Sequence, residues 1–223
     1  MNIWVIMILV MVASYIIQNT LQSKFAKYSR IRNSAGYTGE EVAMKMLHDN
    51  GIYDVSVTCI PGQLTDHYNP ETKTVNLSEG VFSSNSIAAA AIAAHECGHA
   101  VQHNIGYAPL RLRSALVPVV NFANQWVQWV LLAGVLFIRV FPNLLTLGIV
   151  LFAMTTLFSF VTLPVEINAS ARATAWLERS GIANYETRPM AVDALKWAAY
   201  TYVIAAIGSL ATLLYYIGLS RRD

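Results

Sequence analysis

His95, Glu96 and His99 stand in the order His-Glu-x-x-His, within His95-Glu96-Cys97-Gly98-His99. On a helix, residues four apart lie one above the other on a single face, so both imidazoles can reach one metal ion. Glu96, one position on, sits beside such an ion without taking a ligand position. From there its carboxylate can accept a proton from metal-bound water. Zinc suits the arrangement, because a tetrahedral site with three protein ligands keeps its fourth position for that water. With five His and eight Glu in the chain, chance alone yields the pattern about 0.004 times. Two structural histidines with no metal are the competing interpretation, and the rarity of the pattern argues against it. Cys97 lies inside the motif, but its helix position points it elsewhere, so it reads as a small packing residue.

Two histidines leave one ligand to find. The extended form His-Glu-x-x-His-x-x-Gly-x-x-His would need Gly at 102 and His at 105, where this chain has Gln102 and Ile105. His103 falls one turn further along the same face. Three ligands at successive i, i+4 positions would span roughly 12 Å of straight helix, which zinc–nitrogen bonds of about 2 Å cannot close. His103 therefore reads as a supporting or surface residue, and the third ligand should be a carboxylate from another element.

The elements that must position these residues can be read around them. Ser83, Ser84 or Ser86 can cap an alanine-rich helix carrying the motif to about Asn104, before Gly106. Upstream, Thr38 and Glu41 form a capping-box pattern opening a helix that Gly51 ends. The alternation Val55, Val57, Cys59 within Tyr53 to Ile60 suits a half-buried strand. Asp66 to Leu77 reads as two extended arms around an Asn69-Pro70 turn. The Val75–Leu77 arm is an expected edge strand for main-chain pairing with a substrate peptide, or else an ordinary hairpin arm. The result is an α+β unit with the motif on its last helix.

Around that unit the chain is apolar. Of 223 residues, 55% are hydrophobic and only 13% charged, about half the charged share of a soluble domain. A net charge of +2, with no basic run interleaved with aromatics, argues against nucleic acid as a partner. Two cysteines, Cys59 and Cys97, are no disulfide framework. Four stretches, about 3–21, 116–138, 143–164 and 200–219, reach or approach the roughly 20 residues that span a bilayer. The expected order is an N-terminal anchor (1–21), a cytoplasmic domain (22–115), a transmembrane hairpin (116–164), a cytoplasmic helical segment (165–199) and a C-terminal transmembrane helix (200–223). No Lys or Arg precedes the first apolar run, and Lys24, Lys27, Arg30 and Arg32 follow it, the layout of a retained anchor and not of a cleaved signal peptide. Lys and Arg concentrate in 22–115 and 165–199, which puts both regions in the cytoplasm. Arg221-Arg222 at the far end is the one contrary pair, and it would be reconciled by a fourth segment that skims the membrane.

In that order Glu166 is the first acidic residue after the hairpin returns the chain to the cytoplasmic side. Glu178 is its rival, in an ordinary helical surface pattern. The second span carries Asn121, Asn124, Gln125 and Gln128 on one face. Hydrogen bonding between helices is the favoured use of that stripe, and a substrate-lining surface the other.

Three stretches carry a resemblance to a known family: Thr65-Asp66-His67-Tyr68-Asn69-Pro70 with Val75-Asn76-Leu77-Ser78; Ala94 to Gln102; and Leu163-Pro164-Val165-Glu166 through Ala169-Ser170-Ala171-Arg172-Ala173. In their order, and in that of the spans, the chain resembles the bacterial YugP-type neutral zinc metallopeptidases, membrane proteases similar in pattern to HtpX-like and CAAX-processing enzymes. The resemblance implies a predominantly α membrane protein of about four transmembrane helices with a small α+β zincin-like (minigluzincin) cytoplasmic domain. It implies Zn2+ held by His95, His99 and, as in gluzincins, Glu166. It also implies a multi-pass protein of the bacterial plasma membrane, with its active site on the cytoplasmic face and a protein or peptide substrate associated with the membrane. The residue four after the ligand Glu is often an Asp supporting a ligand histidine in related proteases. Here it is Ser170.

The expected reaction is peptide hydrolysis, with zinc polarising the scissile carbonyl. Glu96 takes a proton from the attacking water and returns it to the leaving amine. Arg172 is the first candidate to stabilise the oxyanion, with Tyr68, His67 and His103 behind it. An intramembrane-cutting protease fits less well, because the apolar run before His95 begins only at Ile87. The alternative outside catalysis is a zinc-binding membrane scaffold or regulator that keeps the motif without turnover.

Overall fold

The computed structural model of the chain describes residues 3–221. Arg222, one of the contrary pair, lies outside them, as do the outermost residues of the expected first and last segments. The described chain is mostly helical, with one small sheet, in the order α1 (Ile3–Tyr28), α2 (Gly39–Asp49), β1 (Ser56–Ile60), β2 (His67–Asn69), β3 (Thr74–Ser78), α3 (Glu79–Phe82), α4 (Ile87–Asn104), α5 (Ala108–Leu136), α6 (Pro142–Arg179) and α7 (Arg188–Ser220). Helices α1, α5, α6 and α7 are long and apolar enough to cross a membrane. The chain divides into two compact units.

The first unit holds the start of α1, most of α5, α6 as far as Pro164, and α7 from Thr201. Large apolar side chains such as Trp4, Leu9, Trp129, Leu136 and Phe141 are exposed on it. Its helices meet through small residues. A methyl group on Gly134 would lie 2.6 Å from Leu145 Cα, so the hairpin arms α5 and α6 approach closely only because that position has no side chain. Thr156 and Ser209 hydroxyls join α6 to α7 at 2.6 Å. The expected bonding of the amide stripe is not found. Asn121, Asn124, Gln125 and Gln128 are all exposed, and among the described residues none bonds to another helix through its side chain. The reason is geometric: α5 turns Val120, Ala123, Leu131 and Gly134 inward, which leaves the stripe to one side.

The second unit holds 17–110 and 165–200. Its core forms around α4, whose run Ala88–Ala91, Ala93, Ala94 is buried and thin enough to let neighbours close in. Val42, Met46 and Leu47 of α2, Val75 and Leu77 of β3, Trp176 and Leu177 of α6 and Leu195 of α7 belong to the same cluster. The local start signals act as physical chemistry requires. The Thr38 hydroxyl accepts from Glu41 N while the Glu41 carboxylate accepts from Thr38 N, a complete capping box. Ser86 caps α4 by accepting from Ala89 N at 3.1 Å.

The sheet corrects two expectations. Its strand order is β1-β3-β2, so Val75–Leu77 lies in the central strand and is not an edge: Val75 and Asn76 have partners on both sides, and Leu77 pairs with Cys59 of β1. β2 pairs antiparallel to β3 across the Asn-Pro turn, while β1 pairs with β3 in parallel. A parallel neighbour arrives by a longer connection that the local hairpin pattern does not reveal. Strand β1 also begins only at Ser56, and Cys59 is exposed. Val55 and Val57 pack half-buried against the core as the alternation requires, and the pattern stops at Cys59.

Candidate metal centre

Helix α4 presents His95 and His99 one turn apart, with rings 4.8 Å between centroids and nearly perpendicular at 84°. Opposite them α6 presents Glu166. Its Oε2 lies 3.3 Å from His95 Nε2 and 3.6 Å from His99 Nε2. Among the described residues these three form a group that could hold a metal ion, with donor atoms all within 4.8 Å of one another. The fit can be tested on the donors themselves. Two ligands about 2 Å from a tetrahedral zinc ion stand roughly 3.3 Å apart, and two imidazole nitrogens with one carboxylate oxygen are a donor set that zinc takes.

The approach of α6 to α4 depends on one absent side chain. A Cβ at Gly98 would lie 2.8 Å from the Ala169 carbonyl oxygen and 3.1 Å from its Cα. Gly98 lies between the two histidines and Ala169 between Glu166 and Ser170, so the helices touch where the cluster needs them to.

Each ring is also held by its other nitrogen. Ser170 Oγ lies 3.1 Å from His95 Nδ1. Gln102 Oε1 lies 3.1 Å from His99 Nδ1. Both bonds leave the Nε2 atoms facing Glu166, as is usual for imidazoles that bind metal. Glu166 lies beyond the apolar stretch 143–164. Its burial opposes ionisation, yet the two imidazoles beside it hold its carboxyl well below the usual carboxylate range. For His99 burial likewise opposes the charged form. The Glu166 and Glu96 carboxylates outweigh it and raise the His99 pKa above its ordinary value.

Glu96 is buried but has no place in this group. Its Oε2 accepts a hydrogen bond of 3.0 Å from the Tyr68 backbone N–H of β2. Asp66 anchors that strand by accepting from Ser78 N and Oγ at 2.7 and 3.0 Å. The remaining sequence candidates lie elsewhere. His103 is exposed, with Nδ1 3.2 Å from the Tyr68 hydroxyl. Arg172 donates through Nε to Asn168 Oδ1 at 2.7 Å and lines a cavity of about 360 Å³ with Asn50, Val101 and Trp176. Glu178 pairs at 2.8 Å with Arg188 on the surface. Cys97 is fully buried, its thiol 3.5 Å from the Ala43 carbonyl oxygen, and burial pushes its pKa well above the usual thiol value.

Against this geometry, the sequence model of the family "Putative neutral zinc metallopeptidase" matches residues 3–221. The chain belongs to this family. A relative in it, the "Putative membrane protease YugP" of Bacillus subtilis (strain 168), is 43% identical over 204 residues, covering 92% of this chain and 90% of that protein. No solved structure matches the chain.

Sequence reasoning assigned no role to Gln102, Asn168 or the Tyr68 backbone N–H. Gln102 carried a local signal, since it follows His99 by three positions on the same helix and can reach its ring. Asn168 and Tyr68 carried none, because each meets its partner only through the packing of separate elements.

Proposed function

We propose that the chain is a membrane-bound zinc metalloendopeptidase whose second unit is a zincin-like domain on the cytoplasmic face of the bacterial plasma membrane. The observation that carries this reading is the convergence of His95 Nε2, His99 Nε2 and a Glu166 carboxylate oxygen beside a buried carboxylate, Glu96, that stays outside the donor set. These three residues would hold the ion. When bound, zinc would supply Lewis-acid polarisation of the scissile carbonyl and lower the pKa of a water molecule. Glu96 then serves as the base: it takes the proton of the attacking water and passes it to the leaving amine. The Tyr68 N–H holds the carboxylate in place for both steps. Ser170 and Gln102 keep the imidazoles from rotating.

The α1, α5, α6 and α7 helices support membrane insertion. The Lys and Arg distribution supports a cytoplasmic second unit. A protein or peptide substrate in or near the same bilayer follows from that setting. The test is on the purified, detergent-solubilised protein. It should carry about one zinc per chain and cleave peptides, lose cleavage on chelation and regain it with added zinc. Zinc binding with no turnover on any protein or peptide would instead make it a scaffold.

A further inference from the structure

Gln102 is completely buried, with 0% exposure, so every polar atom of its amide must find a partner inside the protein. Its Nε2 lies 2.8 Å from the Val165 carbonyl oxygen and 3.0 Å from Asn168 Oδ1. The first is an acceptor only, and the amide NH2 supplies the two hydrogens that both contacts need. Turning the amide over would set Oε1 against two oxygens in a buried site. Oε1 therefore faces His99 Nδ1. Having no hydrogen of its own, it obliges that nitrogen to carry one. A neutral imidazole protonated on Nδ1 has its lone pair on Nε2, the atom 3.6 Å from Glu166 Oε2.

The orientation of Gln102 holds only if Asn168 presents oxygen to it and not NH2. Arg172 decides this. Its guanidinium has donors and no acceptor, and its Nε lies 2.7 Å from Asn168 Oδ1. The sequence of bonds Arg172 to Asn168, Gln102 to Asn168 and His99 to Gln102 thus has one sense, set by a group that cannot reverse. Spacing explains how one helix does this. Asn168 and Arg172 are four apart on α6, as are Glu166 and Ser170, so α6 carries two i, i+4 pairs. Glu166 and Ser170 face the histidines directly, and Asn168 and Arg172 engage Gln102.

We infer that Asn168 and Arg172 are positioning residues that act through Gln102 to hold His99 as an Nε2 metal ligand. This use of Arg172 differs from the oxyanion role expected from sequence. The inference rests on the reading of His95, His99 and Glu166 as a zinc site.

The experiment measures zinc affinity of the full-length detergent-solubilised protein by competition with a chelating indicator. It adds the visible absorption of the cobalt(II)-substituted form as a signature of ligand geometry. Asn168→Asp keeps an acceptor for both donors in any rotamer, and it should bind zinc within about threefold of the native chain, with an unchanged cobalt spectrum. Asn168→Leu and Arg172→Ala should each weaken binding by about 10–100-fold, the usual consequence of losing a partner behind a ligand histidine, and should alter the spectrum. Unfolding midpoints of the metal-free variants separate this loss from misfolding. Native affinity and spectrum in Asn168→Leu and Arg172→Ala would overturn the inference, and so would equal weakening by Asn168→Asp and Asn168→Leu. A native chain that takes up no zinc would instead refute the zinc reading beneath it.

Discussion

Gly98 and Ala169 are in backbone contact: a methyl group added at Gly98 would stand 2.8 Å from the Ala169 carbonyl oxygen. Helices α4 and α6 cannot admit a side chain there without moving apart, and the atom in the way is rigid backbone. His95 and His99 flank Gly98, while Glu166 and Ser170 flank Ala169, so the separation would be felt by all four. Gly98→Ala gains helix propensity, about 1 kcal/mol, but overpacking costs about 1–3 kcal/mol. The expected result is a modest loss of thermal stability with a larger loss of zinc affinity. Native zinc affinity in Gly98→Ala, by the same chelator competition, would show that the crossing has slack.

Replacing Glu96 by Gln isolates the base from the site around it. Gln keeps an oxygen for the Tyr68 N–H, so β2 stays anchored and the metal donors are untouched. Zinc content should remain near one per chain. Peptide hydrolysis should fall by about 10²–10⁴-fold, the range for loss of a general base. A Glu96→Gln protein with native turnover would remove Glu96 from the mechanism.

What the sequence disclosed tracks the range of the interactions. Capping by Thr38, Glu41 and Ser86 is decided within three residues, and the helices they start are where local chemistry puts them. The four apolar stretches were visible because composition alone produces them, although the helices extend past each stretch. The His95 and His99 pairing is likewise a one-turn relation. The central position of β3 was hidden, because β1 joins it from a distance in sequence and only the hairpin to β2 is local. So was the bond between Gln102 and Asn168, 66 residues apart. It exists because α4 and α6 meet at Gly98 and Ala169, and neither amide announces a partner by its spacing. Ser170 stood between the two cases. Its position one turn after Glu166 was legible, while its contact with His95 needed the helix crossing.

The proposed cytoplasmic placement of the second unit makes a labelling prediction. Cys59 is exposed and Cys97 buried, so the background for single-cysteine work is Cys59→Ser. Cysteines introduced at Lys73 and at Arg179 should be shielded from an impermeant thiol reagent in intact cells and react once the membrane is opened. A cysteine at Val140, exposed in the turn between α5 and α6, should react in intact cells. Labelling at Lys73 with protection at Val140 would invert the orientation.

Glu166 and Glu178 lie on the same helix and differ in what they touch. Glu166 is 3% exposed and faces the Nε2 atoms of His95 and His99 at 3.3 and 3.6 Å. Glu178 is about half exposed and paired with Arg188, an interaction worth at most about 0.5 kcal/mol at a surface. Glu166→Ala should therefore lose both bound zinc and hydrolysis, because two histidines alone leave a catalytic site one ligand short. Glu178→Ala should keep native zinc content and unfold within a degree or two of the native protein. Glu166→Gln sharpens the test, since it preserves volume and removes only the charge and one strong donor oxygen. It should bind zinc more weakly than the native chain while its metal-free form remains folded. Full metal content in Glu166→Ala, with loss in Glu178→Ala, would mean that the third ligand is the other carboxylate.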